Sequence, residues 1–215
     1  MQNGSINLIL GPMFSGKTSE LINRYNKYTI GGKKCLMVKY RGDVRYDTEK
    51  IVSHNNISVK AVVCELLHEI ESYVTNVDVI CIDEIQFYKD AHIFCDKWAN
   101  QGKIIEACGL NGNFERKPFE VISKLIPQME SCLFLKAVCR VNGNDASFTK
   151  RLNNKTEEEI IGGSEMYSAV DRKNYFTGTE DIDIRNKLTE HINLMHSLGK
   201  IDEYKKTELL NNLVR

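Results

Sequence analysis

Apolar residues fall along this chain in short continuous runs, and between them lie stretches with helical spacing. The first run, INLIL (6–10), is followed by KTSELINRYNKY (17–28), in which Leu21, Ile22, Tyr25 and Tyr28 share one helical face. GGKK (31–34) breaks that pattern and CLMVKY (35–40) resumes as a strand, so the chain opens β-α-β. The polar stretch 41–56 reads as a mobile loop, SVKAVVC (58–64) as one short strand, and ELLHEIESYV (65–74) as a helix. VDVICIDEIQFY (77–88) begins with an apolar strand of the kind buried on both faces of a parallel sheet, and it ends at Asp83-Glu84. A helix near 90–101 and a strand at KIIEACGL (103–110) follow. At least four strands alternating with helices predict an α/β sheet covered on both faces, with ligands at the carboxyl ends of the strands.

From Asn111 the pattern changes. NGNFERKPF (111–119) is an aromatic and basic loop, EVISKLIPQME (120–130) a short helix, and CLFLKAVC (132–139) a last apolar strand. Residues 140–176 are polar, carry Gly143, Gly162 and Gly163, and show strand-like character only at EEEII (157–161). This segment reads as a small β-rich appendage. In the tail 177–215, Leu188, Ile192, Met195 and Leu198, then Leu209, Leu210 and Leu213, recur at near-helical intervals. Two readings stand open there: a terminal helix pair docked on the core or a neighbouring subunit, or a loosely ordered extension.

Composition narrows the class. Of 215 residues 42% are hydrophobic, which is enough for one substantial core. Lys+Arg and Asp+Glu stand equal at 29 each, so no net field draws the chain to nucleic acid or an anionic membrane. No apolar run approaches a membrane span, and MQNGSINLIL lacks the pattern of a secretory leader, so a cytoplasmic location is expected. The seven cysteines form no C-x-x-C pair and several lie inside apolar strands; buried reduced thiols account for them better than a disulfide framework.

The candidate chemistry begins at GPMFSGKT, residues Gly11, Pro12, Met13, Phe14, Ser15, Gly16, Lys17 and Thr18, which match G-x-x-x-x-G-K-[ST] between a strand and a helix. Glycines there let backbone N–H groups curl around phosphate oxygens, and the helix opening at Lys17 adds its positive dipole end. Lys17 would reach the β and γ phosphates of a nucleoside triphosphate, and Thr18 would ligate Mg²⁺. Asp83, at the end of a buried strand, is placed to hold the same Mg²⁺. Glu84 is expected to face the other side of the strand end and take a proton from an attacking hydroxyl. Phe87, Tyr88, Phe114 and Phe119 gather near strand ends, where rings can sandwich a planar base.

With these residues the chain resembles the type II thymidine kinases. The resemblance spans about residues 5–176 and rests on GPMFSGKT, KYRGDVRY, IDEIQFY, GLNGNFERKPF, AVC with FTKRL, and IIGGSEMY with a closing YF. It implies a P-loop RecA-like α/β core, a small β-rich lasso domain over the nucleoside, a homotetramer, and transfer of the ATP γ-phosphoryl group to thymidine, with dTTP as feedback inhibitor. It divides the chain into a core at 1–138, a lasso at 139–176 and a C-terminal extension at 177–215. Glu84 takes the place of the general base. Asp43, Val44, Arg45, Asp83 and Gln86 join the phosphate loop at the ATP site. Met13, Phe87, Leu110, Phe114 and Phe119 correspond to the thymine pocket. Glu158, Glu159, Ile160, Ile161, Gly162 and Gly163 form the lasso that clamps the base edge, and Tyr167 closes the site.

The chain departs from the family in one place of consequence. The family commonly holds a structural zinc in the lasso domain through two C-x-x-C pairs; here Cys139 remains, and Asn142, Asp171 and Asn174 stand at the other positions. Asparagine is a poor zinc ligand, so zinc is expected to be absent. Asn111 also replaces an aspartate common in the family. Two other readings keep the fold: a kinase that also accepts deoxyuridine, and a non-catalytic nucleotide-binding relic that regulates a partner.

Overall fold

The computed structural model describes residues 4–43, 50–52, 58–152, 162–177 and 180–214. In chain order the elements are β1 (Ser5–Gly11), α1 (Lys17–Ile30), β2 (Cys35–Tyr40), β3 (Lys50–Val52), β4 (Ser58–Lys60), β5 (Val62–Cys64), α2 (Glu71–Val74), β6 (Val79–Ile82), α3 (Ala91–Asn100), β7 (Ile104–Leu110), α4 (Glu120–Leu125) and β8 (Ser131–Phe134). After them come β9 (Ala137–Val138), β10 (Asp145–Ala146), β11 (Phe148–Arg151), β12 (Tyr167–Val170), α5 (Arg172–Tyr175), α6 (Glu180–Ser197) and α7 (Glu203–Val214).

Six strands form one parallel sheet in the order β5-β2-β6-β7-β1-β8. Alternation along the strands divides the core between its two faces. Ile6, Leu8 and Leu10 of β1, Ile80 and Ile82 of β6 and Ile105 and Ala107 of β7 pack with Cys95, Trp98 and Leu125 of α3 and α4. Ile9, Val79, Cys81 and Cys108 point the other way, onto Leu21 and Ile22 of α1. Glu106 is a charge in this second layer, only 2% exposed, and it accepts hydrogen bonds from Arg24 (2.7 Å), Tyr28 (2.9 Å) and Asn7 (3.2 Å). A buried carboxylate persists only with such partners.

Register decides which loops meet. Gly11 pairs with Leu110, Ile9 with Cys108, and Ile82 with Ala107, so the carboxyl ends of β1, β6 and β7 lie side by side in the middle of the sheet. The appendage is two short antiparallel pairs, β9 with β10 and β11 with β12, around Ala137, Cys139, Ala146, Ala169 and Val170.

Several sequence expectations need correction. SVKAVVC is two strands: β4 pairs antiparallel with β3, and beyond Ala61 the chain enters the main sheet as β5. The expected loop 41–56 contains β3, whose Ile51 is buried in the α1-side core. Residues 65–74 form a 3₁₀ turn (Leu67–Ile70) and a single α-helical turn, because Ile70, at φ −105° and ψ 8°, leaves the helical region between them. CLFLKAVC divides into β8 at the sheet edge and β9 in the appendage. Strands were expected within 140–176 only at EEEII; β11 and β12 were missed because Thr149, Lys150, Arg151 and Ser168 place polar groups in buried strand positions, and β10 because it is only Asp145–Ala146. EEEII itself lies outside the described residues. The tail forms two helices, α6 and α7, that pack on each other. All seven thiols are free; Cys64, Cys81, Cys95, Cys108 and Cys139 are buried, Cys35 is half-buried, and Cys132 is exposed on the edge strand. Among the described residues no helix is long and apolar enough to cross a membrane.

Candidate active site

The loop from Gly11 to Gly16 leaves β1 and returns into α1 through two left-handed residues, Phe14 (φ 64°) and Gly16 (φ 82°). Gly11 has no room for a side chain, since a Cβ there would lie 2.4 Å from the Leu135 carbonyl oxygen. Ser15 donates to the Pro12 carbonyl (2.8 Å), and the Lys17 ammonium, 9% exposed, donates to the same oxygen (2.7 Å). The Met13 N–H donates to Thr149 Oγ1 of β11 (3.0 Å), so the loop is tied to the appendage.

Asp83 follows β6, and the register that sets Ile82 beside Ala107 brings Asp83 next to Cys108 of β7. Its Oδ1 accepts from the Thr18 hydroxyl (3.2 Å), the Cys108 thiol (2.8 Å) and the Glu84 N–H (3.1 Å). Burial first, and then the neighbouring Asp83 carboxylate, push the Cys108 thiol well above its ordinary pKa. The thiol therefore stays protonated and donates. Thr18 and Asp83 together present a hydroxyl and a carboxylate oxygen, the hard donors that Mg²⁺ takes alongside substrate phosphates.

Glu84 was expected on the opposite strand face, but β6 has already ended. Glu84 instead adopts the left-handed conformation (φ 53°, ψ 46°), which costs a non-glycine residue on the order of 1 kcal/mol. Its Oε2 accepts from Gln86 Nε2 (2.6 Å), and Gln86 Oε1 accepts from the Leu110 N–H (3.1 Å). Gln86 is 5% exposed and thus links the Glu84 carboxylate to the end of β7. Gly109 permits this link: a Cβ there would lie 2.4 Å from Gln86 Oε1 and 2.8 Å from Ile85 Cγ2.

Of the expected base pocket, Phe87 and Phe119 meet edge to face at 6.5 Å, and Phe87 stacks on Tyr40 at 5.1 Å. Phe114 lies beneath the Arg151 guanidinium, whose Nη2 donates to the Tyr167 hydroxyl (3.0 Å). Asp43, 4% exposed, pairs with Lys39 at 3.5 Å. Gly162 and Gly163 lead into β12, and the Gly163 N–H donates to Glu165 (2.7 Å). Val44, Arg45, Glu158, Glu159, Ile160 and Ile161 lie outside the described residues. Lys39 and Tyr40 of KYRGDVRY and Thr149 and Arg151 of FTKRL were given no role from sequence, yet here they contact Asp43, Phe87, Met13 and Phe114. Lys39 left a signal, as the one charge within the apolar run CLMVKY.

The four positions of the family's zinc site do converge, but as a hydrogen-bond cluster. Asn142 donates to Asp171 Oδ2 (2.7 Å), while the backbone N–H and side-chain amide of Asn174 both donate to Oδ1 (2.8 and 2.9 Å). The Asn174 amide also approaches the Cys139 sulfur at 3.7 Å. Burial pushes the Asp171 carboxyl up, but the hydrogen bonds from Asn142, Asn174 and Asn144 outweigh it and hold it below its ordinary value. One thiol, one carboxylate and two amides whose N–H groups point inward do not fit a closed tetrahedral zinc site.

Comparison with known proteins adds a family to this geometry. The thymidine kinase family model matches residues 4–175. The thymidine kinase of Myxoma virus (strain Lausanne) is 48% identical over 176 residues, which is 82% of this chain and 98% of the relative. That of Rabbit fibroma virus (strain Kasza) is 47% identical over the same shares. The Vaccinia virus (strain Western Reserve) enzyme is 46% identical over 175 residues, covering 81% of this chain and 98% of its own length.

Proposed function

The chain belongs to the thymidine kinase family, and on that premise we propose that it transfers the γ-phosphoryl group of ATP to the 5′-hydroxyl of thymidine, giving dTMP and ADP for salvage of DNA precursors. The observation that carries this reading is the meeting of the phosphate loop with the acidic strand end, through Thr18 and Asp83, beside Glu84 and the Phe87–Phe119 pair. Lys17 and the loop N–H groups bind the phosphates. Glu84 accepts the proton as the 5′-oxygen bonds to the γ-phosphorus and the bond to the departing ADP oxygen breaks. Thr18 and Asp83 would hold Mg²⁺, which when bound neutralises charge on the phosphate oxygens. Phe87, Phe114 and Phe119 receive the thymine with Met13, Leu110 and Tyr167, and the lasso Glu158–Gly163 pairs with the base edge. Asp43, Val44, Arg45 and Gln86 complete the nucleotide end.

The same resemblance supports a cytoplasmic homotetramer with dTTP as feedback inhibitor, and the seven free thiols suit a reducing compartment. The deciding experiment is product-resolved transfer from Mg-ATP to each of the four deoxynucleosides and to deoxyuridine. Thymidine is expected to be phosphorylated; transfer to none of them would favour the regulatory relic.

Gly109→Ala tests the scaffold behind Glu84. The added methyl must displace the Gln86 amide, and the Glu84 carboxylate with it. Turnover is expected to fall on the order of 10²-fold, as a small misplacement of a reacting group can cause. Single-turnover transfer measures the loss, and a turnover within about twofold of the unaltered protein would separate Gln86 from the placement of Glu84.

We also propose that the appendage folds without zinc, held by the Asp171 cluster. Asp171 caps α5 as well as accepting from Asn142. Asp171→Ala is expected to destabilise the protein by about 1–2 kcal/mol, and chelator should change the melting temperature of neither form. The folded carboxyl has the lower pKa, so its contribution is full above about pH 4 and fades as pH falls through the folded value. The stability gap between the two proteins should therefore close in acid. A chelator-induced loss of stability at neutral pH would contradict the zinc-free account.

A further inference from the structure

We infer that Arg151 is a positioning residue for the nucleoside pocket, holding Phe114 and Tyr167 in place as two of its walls. This deepens the thymidine kinase reading and rests on it. Arg151 ends β11 directly across from Tyr167 in β12, and its Nη2 donates to the Tyr167 hydroxyl at 3.0 Å. Its guanidinium carbon lies 3.6 Å from the centroid of the Phe114 ring. Phe114 belongs to the core loop that follows β7, whereas Tyr167 belongs to the appendage, so one side chain fastens together two walls from different parts of the fold. Arg151 and Tyr167 are each only 6% exposed.

The contact is reciprocated at the rim. Arg116, from the loop that carries Phe114, sits 4.5 Å over the Tyr175 ring and 4.8 Å over Phe176. Tyr175 in turn donates its hydroxyl to the Phe114 carbonyl at 2.6 Å. Arg116 is exposed and Arg151 is buried, so water can take the place of the contacts that Arg116 makes but not of those that Arg151 makes. A guanidinium suits this place because its flat face stacks on a ring while its edge donates in a fixed direction. The compact ammonium of lysine can do only one of these at a time.

Removing the guanidinium takes the backing from Phe114 and the anchor from Tyr167, and both changes loosen the base end of the site. Neither position lies in the phosphate loop or at Glu84. Arg151→Lys and Arg151→Met are expected to raise the thymidine KM by about 10- to 100-fold, with the ATP KM and kcat within about threefold, the signature of lost binding that is equal in ground and transition states. Tyr167→Phe, which removes only the hydroxyl, should raise the thymidine KM by about three- to tenfold, and adding it to Arg151→Met should cost little more, because both act through one link. Should Arg151→Met fail to fold, as melting curves would reveal, Arg151→Lys and Tyr167→Phe decide the question. An unchanged thymidine KM in those folded variants overturns the inference, as does a parallel rise in the ATP KM or full additivity of the two substitutions. If the unaltered protein phosphorylates no thymidine, the activity itself fails, and this role for Arg151 fails with it.

Discussion

Replacing Glu84 with Gln is expected to lower thymidine phosphorylation by about 10³-fold, within the range that general-base catalysis supplies, while ATP binding is retained. The substitution preserves size and leaves an oxygen to accept from Gln86, so the change isolates the proton acceptor. The backbone sharpens the test. Glu84 sits in the left-handed region at φ 53°, where a residue with a Cβ is strained, and such strain persists where the surroundings hold it. Glu84→Gly relieves it and is expected to keep or raise the melting temperature while being equally inactive. A purely structural Glu84 predicts the reverse: activity retained in Gln, and stability lost in both. Single-turnover phosphoryl transfer, read beside thermal unfolding, separates the two.

Lys17→Met is expected to cost about 10³-fold in kcat, comparable to the loss of a charged donor aimed at a developing negative charge, together with a higher ATP KM. The Lys17 ammonium donates at 2.7 Å to the Pro12 carbonyl, within the loop that would surround the phosphates. That oxygen holds the ammonium at the mouth of α1, whose N-terminal dipole already favours anions. Methionine keeps the length of the stem but loses the charge, and the lost hydrogen bond costs about 1 kcal/mol. A variant that turned over ATP and thymidine normally would remove Lys17 from the phosphate site.

The parallel core was legible because its signal is local. INLIL, VICI and IIEACGL are apolar runs bounded by turns, and they form β1, β6 and β7. GPMFSGKT was legible because glycine at Gly16 and the strand-to-helix setting are written in consecutive residues. The appendage was legible only as a β-rich segment, and its strands were not placed. β11 and β12 bury Thr149, Lys150, Arg151 and Ser168, polar groups that a hydrophobic pattern assigns to solvent. Lys150 shows why such burial is tolerated: its ammonium donates to the Asn174 carbonyl at 3.1 Å and to that of Thr177, partners that only the folded α5 and its exit supply. Desolvation nonetheless lowers its pKa.

What the sequence alone determined was the class of the fold, the family through its motifs, and the residue types available for phosphate, metal and proton. Those follow from spacing within a few residues, where chain geometry is nearly the same in any fold. What tertiary structure decided was which of these groups meet. Asp83 lies beside Cys108 because β6 and β7 pair in one register, and a shift by one residue would turn the thiol to the other face. Gln86 reaches Leu110 because Gly109 leaves the space. Asn142 and Asp171 are 29 residues apart in the chain, yet they share a hydrogen bond of 2.7 Å. Contacts of that range depend on how strands pair and elements pack, and no local pattern encodes them.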